Sequence, residues 1–540
     1  MARRQSRNFS FGDEDLQTFV KQYKISTARD TSNAMNSADE RVYVNRTVNM
    51  DKIKFIGFDM DYTLVDYKSP EYEILAFDML IKRLIDIGYP EELSQLQYDA
   101  NFPLRGLYFD RTYGNLLKVD GFGNILRCIH GFDHVHGSEI ERLYPNKYVQ
   151  ASEDRFFILN TLFHLPETFI IAALINYFDH HPDYEKTPNG VQCGSLLLSY
   201  KSIHQDLRNA VDWAHMEGEL KRQTLKNLDK YVIKEPRLPS YLDHLHKSGS
   251  KVFLVTNSDF TYTERLLTYM FDQPGQSKPW KSYFDYIIVD ARKPLFFQEG
   301  TMLKEINEET GSLKIGTFTG NLQKGKVYSG GSSALFCKLT GAHGKEILYV
   351  GDHIFGDIIK SKKEQAWRTF LVIPELTKEV AVWESTSQLY TKLLNLEFIL
   401  AEMFRTTEKI HMMTKLPEIS ALRKEIKETA RAMEQNYPSK LGSLLRSGSR
   451  QTFFAFQATR FADIYSSSFL NLGNYPIHFL FRAPHQLMPH EQPTSEGLNS
   501  PGPMPSSINM KLVGQNLICI DHDLDEEVDK QDCFEIESIP

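Results

Sequence analysis

Residues Phe55 to Leu64 constrain this chain more than any other stretch. The apolar run Phe55-Ile56-Gly57-Phe58 stops at two aspartates, Asp59 and Asp61, with Thr63 just beyond. A short apolar run bounded by polar residues reads as a buried strand of a parallel sheet. In open α/β sheets, ligands sit beyond the carboxyl ends of the strands. Two carboxylates this close repel unless a cation or a shared proton intervenes. A metal, a proton, or both are therefore implied.

The chain is long enough for a large core and more than one structural unit: 540 residues, 41% hydrophobic, with a formal net charge of −8. That mixed charge offers no basic field for nucleic acid. The five cysteines are scattered without a CxxC pair, which suits reduced thiols in the cytosol and not a disulfide framework or zinc site. No apolar leader follows Met1, so no secretory signal is expected. The most apolar segment, Phe169 to Phe178, is too short to span a membrane.

The expected fold class is α/β, a doubly wound parallel sheet core. Strands are expected at Phe55–Phe58, Lys251–Val255, Phe284–Val289, Glu346–Val350 and Arg368–Ile373. Residues 1–40 read as a flexible N-terminus, and 41–90 with 236–490 as the catalytic core with a helical C-terminal extension. Residues 91–235 lack the strand-helix rhythm and read as an inserted cap that sets specificity. Within them, 154–180 reads as helix interrupted at Pro166, and 196–232 as helix again. Residues 301–330 read as small hairpins. Residues 384–436 read as a pair of long helices; helix 418–435 and the aromatic block 452–488 are the candidates for subunit contacts. Residues 491–540 read as a disordered acidic tail.

Four strand ends carry chemistry. Asp59 can attack phosphorus as a carboxylate nucleophile. Asp61 can protonate a leaving oxygen and then take a proton from water. Thr256, with Asn257 and Ser258, can hold phosphoryl oxygens. Lys293 can neutralise charge. Asp352 completes an oxygen-rich site with Asp59 suited to Mg²⁺, and Asp357 steadies the metal's water shell. Each residue alone fits an ordinary turn, cap or surface lysine; the combination in this order is far more specific.

Asp59-Met60-Asp61-Tyr62-Thr63, then Thr256, then Lys293, then Gly351-Asp352 through Asp357 resembles the haloacid dehalogenase superfamily. Lys68-Ser69-Pro70-Glu71-Tyr72-Glu73 and Val289-Asp290-Ala291-Arg292-Lys293-Pro294-Leu295-Phe296-Phe297 bring the likeness closer to the cytosolic purine 5′-nucleotidases, over residues 40–490. That resemblance implies a haloacid-dehalogenase-like core with an inserted α+β cap. It implies a Mg²⁺-dependent homotetramer that hydrolyses IMP- and GMP-type nucleoside monophosphates through an aspartyl phosphate. It also implies phosphate transfer to acceptor nucleosides and activation by an ATP-type effector. The metal would be held by Asp59, Asp352 and the Asp61 carbonyl.

By the same likeness, Arg208 and Asp212 read the purine edge, with His215 alongside, Lys221 approaches the phosphate and Phe163 stacks nearby. From the residues alone, Arg208 and Asp212 read as a surface i, i+4 ion pair, and Phe163 as core. Asn160, Phe355, Lys363, Gln457 and Arg460 match family positions for the effector. An arginine that the family carries after Gln150 is missing at Ala151-Ser152, which predicts weaker or altered activation. Two alternatives stay open: a related phosphatase of another phosphometabolite, and a non-catalytic interaction protein that keeps the fold.

Overall fold

The computed structural model describes residues 37–150, 154–216, 219–272, 278–406, 409–485 and 488. Ala151-Ser152, most of the Gln273–Lys278 loop, the acidic tail and nearly all of the N-terminal segment lie outside the described residues.

The Phe55 run becomes the centre of a nine-stranded sheet. Its strands are β1 (Tyr43–Val44), β2 (Phe55–Phe58), β3 (Lys251–Val255), β4 (Tyr286–Val289), β5 (Lys304–Glu305), β6 (Val327–Ser329), β7 (Ile347–Gly351), β8 (Arg368–Val372) and β9 (Ile464–Ser466). Their spatial order is β1-β9-β8-β7-β2-β3-β4-β6-β5. Phe58 pairs in parallel with Leu254 on one side and Val350 on the other. The chain leaves β2 toward β3 and later returns to β7 on its opposite side, so β2 and β7 form the topological switch point. The antiparallel edge strands β1 and β5 are short, which blunts both edges.

All four residues of β2 are buried, because helices cover both faces of the sheet. Ile56 and Phe58 join one core with Val252 and Leu254; Phe55 joins Phe253, Tyr349 and Trp367 on the opposite face. Gly57 has no side chain because none fits: a Cβ there would lie 2.2 Å from the Phe253 ring.

Between β2 and β3 the chain builds a five-stranded antiparallel sheet from Leu107–Asp110, Asn115–Val119, Ile125–His130, Asp133–His134 and Phe156–Leu159. Helices α1 (Glu71–Asp86), α2 (Leu165–His180) and α3 (Tyr200–Met216) pack on it through Phe77, Leu80, Ile170, Leu174 and Leu207. A further helix, α4 (Glu219–Lys226), leads back toward the large sheet. Several expectations are corrected here. Phe156–Leu159 is a strand, as aromatic and β-branched residues favour. Pro166 lies in the first turn of α2 and starts the helix instead of interrupting it, since a first-turn N–H has no partner to lose. Likewise Gly190–Cys193 and Leu196–Ser199 form a hairpin, so the helix expected from residue 196 starts at Tyr200. Residues 301–330 are largely irregular, with β5 pairing to β6.

After β4, α5 having been laid down earlier at Phe260–Phe271, the chain adds β5 to β8 and enters α6 (Leu376–Thr406) and α7 (Lys409–Glu434). These two share their own seam of Tyr390, Leu393, Leu400, Ile419, Ile426 and Met433, so α7 is not solvent-facing on every side. Part of the aromatic block packs within this chain: α8 (Phe453–Phe461) buries Phe454, Phe469 and Phe481 are buried, and β9 joins the large sheet. Among the described residues no helix is long and apolar enough to cross a membrane.

Gly57→Ala is expected to lower stability by about 1–3 kcal/mol through overpacking against Phe253, read as a shift in the urea midpoint at unchanged slope.

Candidate active site

Beyond β2, a tight turn folds the chain back on itself, with Leu64 and Val65 N–H both donating to the Met60 carbonyl. Tyr62 takes a left-handed backbone, φ 54°. The turn separates the two carboxylates. The Asp59 Oδ1 accepts from the Met60 N–H at 2.7 Å and pairs with the Lys293 Nζ at 2.7 Å. Asp61 accepts from the Ser258 hydroxyl at 2.8 Å and the Tyr67 hydroxyl at 2.5 Å.

Lys293 is placed by a loop that the β3 end holds. Asn257 clamps the Lys293 main chain from both sides: its amide donates to the Lys293 carbonyl, and its oxygen accepts from the Lys293 N–H. Asp290 and Arg292 sit in the left-handed region, φ 47° and 56°, a strain of order 1 kcal/mol each that the clamp and the Thr256 and Ser258 carbonyls sustain. The Lys293 Nζ then reaches Asp59, Asp357 (2.8 Å) and the Tyr349 hydroxyl (3.1 Å). Burial opposes its charge, yet Asp357 and Asp59 hold its pKa well above the ordinary value.

The Gly351–Asp357 segment closes the site. A Cβ on Gly351 would lie 2.5 Å from the Asp357 carboxylate, so the glycine lets that side chain fold under its own strand. Asp357 accepts from the His353 N–H at 3.2 Å and pairs with Lys293, so both its oxygens are engaged. Asp352 is held through its main chain: its carbonyl accepts from Arg105 at 3.1 Å, and Arg105 makes a two-pronged pair with Glu375 at 2.7 and 2.8 Å.

Oxygens of Asp59, Asp352 and Asp357 lie within 4.8 Å of one another, all buried. Three carboxylates face the single ammonium of Lys293, and the Arg105 charge is balanced by Glu375. With all three ionised, the excess of two negative charges fits a divalent cation. Burial, and then the neighbouring carboxylates, raise Asp352 well above the usual range. Burial raises Asp59 to about 7 against the pull of Lys293. Among the described residues no donor reaches the Asp352 carboxylate or the Asp59 Oδ2, which leaves both able to ligate.

A small, largely filled cavity of about 10 Å³ is lined by Tyr62, Tyr72, Phe163, Pro166, Val211 and His215. Phe163 meets Tyr62 edge-on at 4.9 Å and His215 at 5.9 Å. The His215 Nδ1 is turned away to the Val211 carbonyl. Arg208 does pair with Asp212, at 3.0 Å, but its other nitrogen pairs with buried Glu167 at 2.8 Å. Lys221 pairs with Asp259, next to Ser258. Phe163 and His215 thus share the cavity, while Arg208 with Asp212, and Lys221, form separate groups around it. Lys363 and Arg460 both lie over the Phe461 ring, and Phe355 is exposed under Lys360. Asn160 and Gln457 are buried with an unpartnered oxygen each.

The sequence reading missed Tyr67, Arg105, Glu167, Tyr349 and Glu375. Glu167 had a signal: it is an acid at the head of the apolar run of α2. The others lie at no informative spacing.

A family model described as the 5′ nucleotidase family matches residues 42–493. A 5′-nucleotidase domain-containing protein of Dictyostelium discoideum is 28% identical over 493 residues, 88% of this chain and 79% of that protein. Two solved structures overlap 59% of this chain: a HAD-superfamily hydrolase of Geobacter sulfurreducens (13% identity, 87% of that chain, TM-score 0.23) and CbbY of Rhodobacter sphaeroides in complex with phosphate (12% identity, 86% of that chain, TM-score 0.22).

The carboxylate crowding predicts a pH signature. With Asp59 raised to about 7, the metal-free protein loses stability as pH rises from the ordinary carboxylate value toward 7. Mg²⁺ is expected to raise the melting temperature most at and above neutral pH, and Asp352→Asn to lose that gain while melting higher than wild type without metal. Thermal unfolding at pH 5 and 8, with Mg²⁺ or chelator, checks both signs.

Proposed function

Because this chain belongs to the 5′-nucleotidase family, we propose that it releases phosphate from IMP- and GMP-type nucleoside monophosphates and also passes that phosphate to acceptor nucleosides. One observation carries the reading. Asp59 presents an open oxygen while Lys293 and the Met60 N–H hold the other, and Asp61, two residues on, is held by Ser258 and Tyr67.

Asp59 attacks phosphorus, and the bond from phosphorus to the 5′ oxygen breaks. Asp61 gives its proton to that oxygen. Water, or the hydroxyl of an acceptor nucleoside, then attacks the aspartyl phosphate and yields its proton to Asp61, which restores both residues. Lys293 stays beside Asp59 and offsets its charge. The Ser258 and Thr256 loop faces the same site, with the Thr256 hydroxyl accepting from the Ser258 N–H. A Mg²⁺ ion held by Asp59, Asp352 and the Asp61 carbonyl, with Asp357 at its water shell, would neutralise the excess negative charge on protein and phosphate.

Base preference rests on the Arg208–Asp212 pair. A 6-oxo purine has an acceptor at O6 and a donor at N1, which match a guanidinium and a carboxylate; a 6-amino purine reverses both. Glu167 pins Arg208 in place for that role. An ATP-type activator fits the unpartnered oxygens of Asn160 and Gln457, which can take an amino group, with Lys363 and Arg460 for phosphates. Exposed Phe398, Ile399, Phe404 and Leu416 on α6 and α7 support self-association, in the homotetramer the family likeness implies. The unpaired thiols Cys128, Cys193 and Cys337 suit the cytosol.

Asp59→Asn is expected to abolish Mg²⁺-dependent phosphate release from IMP, a loss of at least about 10³-fold. Asp212→Ala should erase the preference for IMP over AMP by about 10-fold or more while leaving sugar phosphates unaffected. Phosphate release across a panel of monophosphates measures both; a wild-type enzyme that spares IMP and GMP but splits sugar phosphates would overturn the substrate assignment.

A further inference from the structure

Asp61 is engaged by more than Ser258. The Tyr67 hydroxyl lies 2.5 Å from its Oδ1, and the Tyr262 hydroxyl lies 2.9 Å from that of Tyr67. A phenol has one proton to donate. With Tyr67 donating to the Asp61 carboxylate, Tyr262 must donate to Tyr67, which sets a one-way chain from Tyr262 through Tyr67 to Asp61. Both tyrosines are buried, at 5% and 3% exposure, so no bulk water substitutes for either partner.

Each tyrosine also touches the inserted segment. Tyr67 stacks on Tyr72 at 4.2 Å and meets Phe163 edge-on at 6.2 Å. Its own strand, Asp66–Tyr67, pairs with Val232–Ile233, where the chain returns from the insertion to the core. Tyr262 opens α5 beside its cap Asp259, and the Lys221 ammonium of α4 lies 5.1 Å above its ring while pairing with Asp259.

We propose that Tyr67, backed by Tyr262, is a positioning residue that fixes the rotation of the Asp61 carboxyl group toward the leaving oxygen, and that the inserted segment holds this pair in place. The inference rests on the phosphatase reading with Asp61 as general acid. In the carboxylate state the chain runs toward Asp61. When Asp61 carries its proton toward substrate, Oδ1 still accepts from Tyr67, so the orientation persists through both half-reactions. No atom of either tyrosine joins the reaction.

Leaving-group dependence tests this. Single-turnover release of nucleoside from IMP and of nitrophenol from p-nitrophenyl phosphate isolates the first step. The nucleoside oxygen needs a proton to leave; nitrophenolate does not. Tyr67→Phe keeps the ring stacked on Tyr72 and removes only the donor. It is expected to slow the IMP reaction about 10–100-fold, part of the ~10²–10⁴ a general acid supplies. Half-saturation should move less than about twofold, and nitrophenol release should fall less than about threefold. Tyr262→Phe should show a smaller loss with the same selectivity, and the double variant should match Tyr67→Phe alone. Equal loss on both esters, or additive losses in the double variant, would overturn the positioning role. Should Tyr67→Phe fail to fold by near-ultraviolet dichroism, Tyr262→Phe carries the same comparison. Asp61→Asn in the same assay separates the two claims: if it slows both esters alike, the general-acid reading fails; if it alone is selective, only the tyrosine inference fails.

Discussion

A single buried ammonium sets the terms for everything around it. Lys293 sits among Asp59, Asp357 and Tyr349, and neither the lysine nor the carboxylates would be tolerated in that apolar core alone. Yet the balance is left incomplete by two charges. An incomplete balance is what a site must keep if it is to receive a divalent cation and then a phosphate dianion. The surrounding devices (the Asn257 clamp, the strained Asp290–Arg292 turn, the Gly351 close approach) serve to hold Lys293 and Asp357 where that imbalance stays local.

The carboxylate and lysine end of the site was legible because its residues fall at strand ends, and strands announce themselves as apolar runs. Asp59, Thr256, Lys293 and Asp352 all follow such runs and all arrive at one place. What could not be read were contacts between distant segments. Nothing in the spacing of Arg105 and Glu375 reveals that they meet at the Asp352 carbonyl. Tyr67 is near Asp61 in sequence, but its second partner, Tyr262, is not. The insertion was harder still. Phe156–Leu159 and the Gly190–Ser199 hairpin are short and partly exposed, so helical spacing and strand alternation compete there without a clear winner. Pro166 misled for a related reason: a proline marks a helix start and a helix break with the same letter, and only the flanking strand decides which.

Arg208 keeps the local pair that its spacing predicts, and adds one that the spacing does not contain. Its i, i+4 pair with Asp212 exists. Glu167, from a different helix and itself buried, holds the Arg208 end of that pair, while the Asp212 end stays exposed. That third residue comes from outside the helix, where no local pattern reaches it.

The position of β2 at the middle of the sheet has a consequence for biogenesis. Its neighbours are β3, starting at Lys251, and β7, starting at Ile347. During synthesis the fully apolar Phe55–Phe58 segment therefore emerges long before either strand that will cover it. At ~5–20 residues per second this interval is on the order of ten to forty seconds. Through that time the strand that ends at Asp59 is an unpaired, sticky template, and the intervening insertion, which closes its own antiparallel sheet, can fold first. The buried carboxylate cluster is thus among the last features of the molecule to exist, although its first residue is among the earliest to be made.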